Sequence, residues 1–161
     1  MDIPKRKPNR LPDFDYSTPG AYFITICTKD RQNLFWTDVG ASIARPQLTK
    51  WGEIAATAIC DIPNHYSAIS VDHYVVMPNH IHLLLQINTD TNGRPMVAPT
   101  ISTVIQQFKG IVTKRIGQSI WQKLYHDHVV RGERDYLKIW EYIDNNPARW
   151  TEDCFYTEDS E

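Results

Sequence analysis

A chain of 161 residues, 42% of them hydrophobic, can bury a full core without covalent staples, so one domain is expected. Three widely spaced cysteines, Cys27, Cys60 and Cys154, with no C-x-x-C pair argue against a disulfide framework. With no apolar leader core and no run long enough to span a membrane, they point to a soluble, cytoplasmic protein with reduced thiols. The formal net charge of -2 argues against a uniformly basic protein, but five acids and no bases fall in Thr151–Glu161, which leaves the rest of the chain net positive.

Residues 1–19, proline-rich and basic with Lys5, Arg6, Lys7 and Arg10, read as an irregular arm ending in the turn signal "STPG". Residues 20–150 read as the domain and 151–161 as an acidic tail. "AYFITICT" is β-branched and aromatic, which predicts a first strand over Tyr22–Thr28. A long polar connection leads to "LTKWGEIAATAICDIPNHY", a helix from about Thr49 to Ile62 that Pro63 is expected to end. A second strand is predicted over Ser70–Val76. "MPN" then turns the chain into "HIHLLLQ", forming an antiparallel hairpin. After the polar loop "NTDTNGRPMVAP", Ile101, Val104, Ile105, Phe108 and Val112 repeat at helical spacing between a Thr100 cap and a Gly117 stop. "KLYHDHVVR" supplies a fourth strand. "GERDYLKIWEYIDNNP" supplies a terminal helix with Leu137, Ile139, Trp140 and Ile143 as its apolar stripe and Pro147 beyond its end. The order, strand-helix-strand-strand-helix-strand plus one extra helix, predicts an α+β fold. It is a ferredoxin-like antiparallel sheet with helices on one face and a C-terminal helix crossing the other.

His80 and His82 are the anomaly in an otherwise apolar strand, since imidazole nitrogens need partners or water. Side chains two apart share a strand face about 6 to 7 Å from one another, close enough to hold one metal ion if a third ligand arrives from elsewhere. The plain alternative is a strand with one wet face. On the last helix Tyr142 and Asn146 lie four apart, on one side. The amide oxygen of Asn146 is a candidate third ligand for a hard divalent ion such as Mg²⁺ or Mn²⁺. Tyr142 is a candidate nucleophile toward phosphorus, given a cation to stabilise the developing charge. Against this, Tyr142 also suits a half-buried helix aromatic and "DNNP" a simple helix stop. Of the basic residues, Arg10 in the arm and Lys109, Lys114, Arg115 and Arg131 in Lys109–Arg134 are candidate phosphate contacts, with solvated surface charge as the alternative.

Three separated blocks, "RLPDFDYSTPGAYFITICT", "MPNHIHLLL" and "WQKLYHDHVVRGERDYLKIWEYIDNNP", together resemble the REP-associated tyrosine transposases, members of the single-tyrosine HUH transposase superfamily. The resemblance covers roughly residues 9–150. It implies a HUH nuclease fold and a hairpin-bearing single-stranded DNA substrate. It also implies a tyrosine that leaves a 5′-phosphotyrosine and a free 3′-OH. His80 and His82 match the histidine pair, Tyr142 the tyrosine, and Asn146 the polar residue one turn later. Gly20 and Tyr22 match a segment that helps read a short single-stranded guide. Trp121, Gln122 and His126 match a block expected to contact DNA or support the site, with His128 close by. Such relatives act as monomers or as homodimers with shared sites. The competing expectations are a hairpin-binding protein without catalysis and a metal phosphodiesterase that uses water instead of Tyr142.

Overall fold

The computed structural model describes residues 11–37, 47–94 and 96–155. Seven principal elements follow the expected order: β1 (Gly20–Cys27), α1 (Lys50–His65), β2 (Ile69–Val76), β3 (His80–Ile87), α2 (Ile101–Ile116), β4 (His126–Val129) and α3 (Gly132–Asn145), with short 3-10 turns at Lys29–Arg31 and Pro147–Glu152. The strands form one sheet in the order β2-β3-β1-β4, every neighbouring pair antiparallel. This is the ferredoxin-like arrangement that the element order predicts.

Strand alternation divides the side chains between two faces. Ile24 and Ile26 of β1 and Ile81, Leu83 and Leu85 of β3 meet α1 and α2 in the main core. Thr49 starts α1 by accepting a hydrogen bond from the Gly52 amide at 3.1 Å, and Thr100 caps α2 in the same way from Thr103 at 3.2 Å. Gly117 ends α2 in the left-handed region, at φ 93°, where a side chain would be strained. Pro63 does not end α1 as expected. The helix continues to His65, because only the bond to the Ile59 carbonyl is forfeited and the Tyr66 amide still closes on the Ile62 carbonyl at 3.2 Å.

The opposite face carries Phe23 and Thr25 of β1 and His80, His82 and Leu84 of β3, and α3 crosses it. The floor under α3 is small: Leu84, Ile139 and Ile143 form its fully buried centre. The expected apolar stripe needs correction here. Leu137 is 56% exposed on the outer side of α3, and Trp140 lies at the β2 edge, stacked on His73 with centroids 4.4 Å apart. At 100° per residue Leu137 sits far round the helix from Ile139 and Ile143, so it cannot share their face. Both flanking segments add to the fold. Phe14 and Tyr16 pack on the core from the N-terminal side, while the chain after Pro147 returns to β3, where Trp150 and Phe155 pack.

Candidate active site

The site is built where β3 passes beneath the end of α3. His80 and His82 are 0% and 2% exposed, and their Nε2 atoms approach to 3.1 Å. Each Nδ1 has a partner on the other side: Asn79 Oδ1 at 2.8 Å for His80 and Thr25 Oγ1 at 2.9 Å for His82. The Asn79 amide is oriented by donating through Nδ2 to the Arg31 and Phe155 carbonyls at 3.3 and 2.7 Å. Its oxygen therefore faces His80, so His80 carries its proton on Nδ1 and offers a lone pair at Nε2. If Thr25 likewise takes the Nδ1 proton of His82, two lone pairs face one another across a dry gap, an arrangement that a cation stabilises. Burial first, then the neighbouring His82 and the Arg31 charge, pushes His80 down to about 2, and burial pushes His82 down to about 3. Both rings are neutral at physiological pH, the form a metal requires.

A third donor comes from a place sequence reasoning missed. Asp153, counted there as part of an acidic tail, turns its carboxylate inward. The side chain is 3% exposed and Oδ2 lies 3.7 Å from His80 Nε2. One ligand atom from each of His80, His82 and Asp153 falls within 4.8 Å of the others. Burial raises the Asp153 pKa, partly offset by a hydrogen bond from the Phe155 amide, so this carboxylate lacks a full counter-charge. Asn146 is 4% exposed, and its Oδ1 has no hydrogen-bond partner among the described residues. Two imidazoles, a carboxylate and an unspent amide oxygen form a donor set that suits a hard divalent ion.

Tyr142 is 43% exposed and projects from the site side of α3. Its ring meets His82 at 5.3 Å and Phe23 at 6.2 Å between centroids, both edge to face. Burial raises its pKa above the ordinary phenol value, while a side-chain hydrogen bond from Asn146 works the other way. An open cleft of about 480 Å³ brings Tyr142, Asn146 and Asp153 together with Lys138 and Arg149. Neither cation forms an ion pair among the described residues. The neighbouring aromatics are also accounted for. Tyr136 donates to Asp72 at 2.7 Å on the far side of α3, and Tyr125 is buried in the core just before β4.

The expected DNA-contact residues scatter. Tyr22 is 1% exposed in the main core with its hydroxyl donating to the Thr18 carbonyl, so its ring cannot meet a base. Trp121, 8% exposed, packs on Phe35 and Phe108 in the core. Lys109 spends its ammonium on the Gln122 carbonyl at 2.7 Å. Lys114 and Arg115 are exposed, but α2 lies on the sheet face opposite the histidines, and Arg115 pairs with Asp61 at 3.6 Å. Gly20 opens β1, and the half-buried Gln122 ties its amide to the Cys27 carbonyl. His126 and His128 do reach the site face: they pair in register with Thr25 and Phe23, and His128 holds Asp135 at 2.8 Å. Arg131 is exposed at the start of α3, and Arg10 lies outside the described residues.

No protein-family model matches the sequence. An uncharacterized Haemophilus influenzae protein is 31% identical, the alignment covering 97% of this chain and 96% of that one. A second Haemophilus influenzae protein, named as a REP-associated tyrosine transposase, is 25% identical over 84% of this chain and 74% of its own. Among solved structures, a REP-associated tyrosine transposase bound to a REP hairpin shares the fold with a TM-score of 0.64 at 20% identity, covering 89% of this chain and 74% of that chain. The named relative supports a transposase-like role, and the solved structure shows the shared fold. Over most of its length the chain is similar in sequence to a REP-associated tyrosine transposase and shares its fold with another.

Proposed function

We propose that this protein is a divalent-metal-dependent nuclease and strand transferase that cleaves and rejoins single-stranded DNA beside a hairpin, through a phosphotyrosine at Tyr142. The observation that carries the reading is the placement of Tyr142. Its exposed side chain shares a cleft with Asn146 and Asp153, and among the α3 side chains lining that cleft it is the one whose ring rests on His82. The transposase neighbour bound to a REP hairpin supports the hairpin as partner.

His80, His82 and Asp153 are the residues to hold Mg²⁺ or Mn²⁺, with the Asn146 oxygen as a further neutral donor. When bound, such an ion supplies Lewis-acid polarisation of a phosphate oxygen and draws charge from the attacking phenol. The chain's own residues do the rest. Asn79 and Thr25 fix the two rings, presenting Nε2 to the gap. The amide of Asn146 stabilises the Tyr142 phenolate, against the burial that opposes ionisation. The Tyr142 oxygen attacks phosphorus as the bond to the 3′ oxygen breaks; the phenol gives up its proton and the leaving oxygen takes one up. Rejoining is the reverse, with a 3′-OH as nucleophile. Lys138 and Arg149 line the same cleft as Tyr142, beside Glu141 and Glu152, and are the cations there that can meet phosphates of a bound strand.

Incubating a labelled hairpin having a single-stranded flank with the protein and Mn²⁺ or Mg²⁺, followed by a denaturing gel, tests the reading. A covalent protein–DNA adduct that disappears in Tyr142→Phe and on chelation supports it. Cleavage without an adduct would point instead to a water-using phosphodiesterase, and hairpin binding without cleavage to a non-catalytic binder.

A further inference from the structure

The edge strand β2 grips α3 along a line unrelated to the metal ligands. Its pairing with β3 slips between Val71 and His73: Val71 faces Leu85 and His73 faces Leu84, leaving Asp72 as an extra, unpaired residue. In a regular strand Asp72 and His73 would point to opposite faces. The bulge lets both reach the α3 face. Asp72 Oδ2 accepts from the Tyr136 hydroxyl at 2.7 Å, and His73 Nε2 meets Asp144 Oδ1 at 2.6 Å. The His73 ring is also stacked on Trp140 at 4.4 Å and 24°. Tyr136, Trp140 and Asp144 are spaced four and four, so they form one stripe running two turns along the helix.

We infer that this bulge is a positioning device for the tyrosine helix, with Asp72 and His73 as positioning residues that set the roll of α3 and thereby the place of Tyr142; the inference rests on the nuclease reading of Tyr142. The geometry leaves few other candidates for the task. The buried floor beneath the helix is two isoleucines on one leucine, rimmed by half-buried side chains such as Phe23 and Val75, and such apolar contact is non-directional. On the site side, the ring contacts of α3 are made by Tyr142 itself, the group that has to be placed. On that same side Asp135 ties the first turn to His128, nearly two turns from Tyr142. The β2 contacts flank Tyr142 in sequence and bear on the opposite side of the helix, so together with the floor they fix rotation about its axis. Because His73 and Asp144 are 24% and 55% exposed, their pair adds little to stability, which separates positioning from folding.

Single-turnover cleavage at saturating hairpin and Mn²⁺, measured for a His73→Ala, Tyr136→Phe double variant, is expected to slow at least about tenfold, since small displacements of a reacting group are costly. Hairpin affinity and Mn²⁺ affinity should stay within about twofold of wild type. His73→Gln with Tyr136 intact keeps a side-chain N–H toward Asp144 and should recover most of the rate. Hydrogen exchange of the same double variant gives a readout independent of chemistry: faster exchange confined to residues 132–145, with β1 and β3 unchanged. Unchanged exchange in α3 or an unchanged cleavage rate would overturn the inference. A uniform rise in exchange across the sheet would also overturn it, showing a structural role only. Should wild type form no adduct while α3 exchange rises selectively, the nuclease reading fails and the helix clamp stands.

Discussion

Asp153→Asn is the most informative single change at this site, because it keeps the shape of the side chain and removes its charge. The carboxylate is 3% exposed and 3.7 Å from His80 Nε2, in a gap lined by two neutral rings. For a unit charge about 4 Å from a monovalent centre at an effective dielectric near 20, the Coulomb energy is about 4 kcal/mol, and a divalent ion sees more. Allowing for relaxation, the substitution should weaken Mn²⁺ binding by about a thousandfold or more, read by isothermal titration calorimetry or by the loss of the free-ion paramagnetic signal. The metal-free protein should respond in the opposite sense. Burial raises the Asp153 pKa, so its contribution to stability is full below the unfolded value of about 3.9 and is lost as pH rises through the folded one. Asp153→Asn removes that loss, and metal-free Tm at neutral pH should hold or rise. Asn146→Ala, which takes away a neutral donor, should cost metal affinity far less. Wild-type Mn²⁺ affinity in Asp153→Asn, with a large loss in Asn146→Ala, would refute the assignment of Asp153 and return the third position to Asn146.

Tyr142→Phe should abolish the covalent adduct and strand cleavage while leaving hairpin affinity intact, at a stability cost of about 1 kcal/mol for the hydrogen bond with Asn146, measured by denaturant unfolding. Lys138→Gln and Arg149→Gln should each lower the slope of log affinity against log salt by about 0.7 for a single-stranded oligonucleotide, whereas a Lys114→Gln, Arg115→Gln pair on the opposite sheet face should not change it. Acid should unfold the metal-free protein early. Folded pKa values of about 2 and about 3 make the stability due to neutral His80 and His82 full above about pH 6.5 and progressively lost below it, so a His80→Gln, His82→Gln variant should show a flatter acid limb in Tm against pH.

The sheet and its helices were legible because each strand carries its own β-branched or aromatic run and each helix its own period and cap. Thr49, Thr100 and Gly117 mark their helix ends as local chemistry requires. The face carrying His80 and His82 followed from alternation alone. Their orienting partners did not, although one of them adjoins the motif. Thr25 becomes the partner of His82 only through the register that places β1 opposite β3, and Asn79 through a turn that brings Arg31 and Phe155 to its amide. Helix faces were less legible than strand faces. Leu137 looks like core by composition and is exposed, while Tyr136 and Trp140 are drawn to the β2 edge by a bulge that no local pattern announces.

Asp153 and the basic residues show the same limit in opposite directions. Asp153 stands among acids in a segment that reads as solvated tail, yet the chain after Pro147 folds back so that Trp150 and Phe155 lie 6.0 and 4.6 Å from the His80 ring. Once those two aromatics are seated over the histidine, the carboxylate between them is carried into the gap, and its desolvation is tolerable only where a positive charge can be met. Lys109, Lys114 and Arg115 form the densest basic cluster on any helix, yet helical packing turns α2 to the face without the site, and Lys109 is spent on loop carbonyls. For the proposed phosphate path, charge density in sequence therefore counts for less than the position of two scattered cations, Lys138 and Arg149, in the cleft with Tyr142. A nucleophile needs its phosphate held on the face where it attacks; on the proposed reading α3, held along β2, brings Tyr142 and Lys138 to that face, and the turn Pro147–Glu152 that follows it brings Arg149.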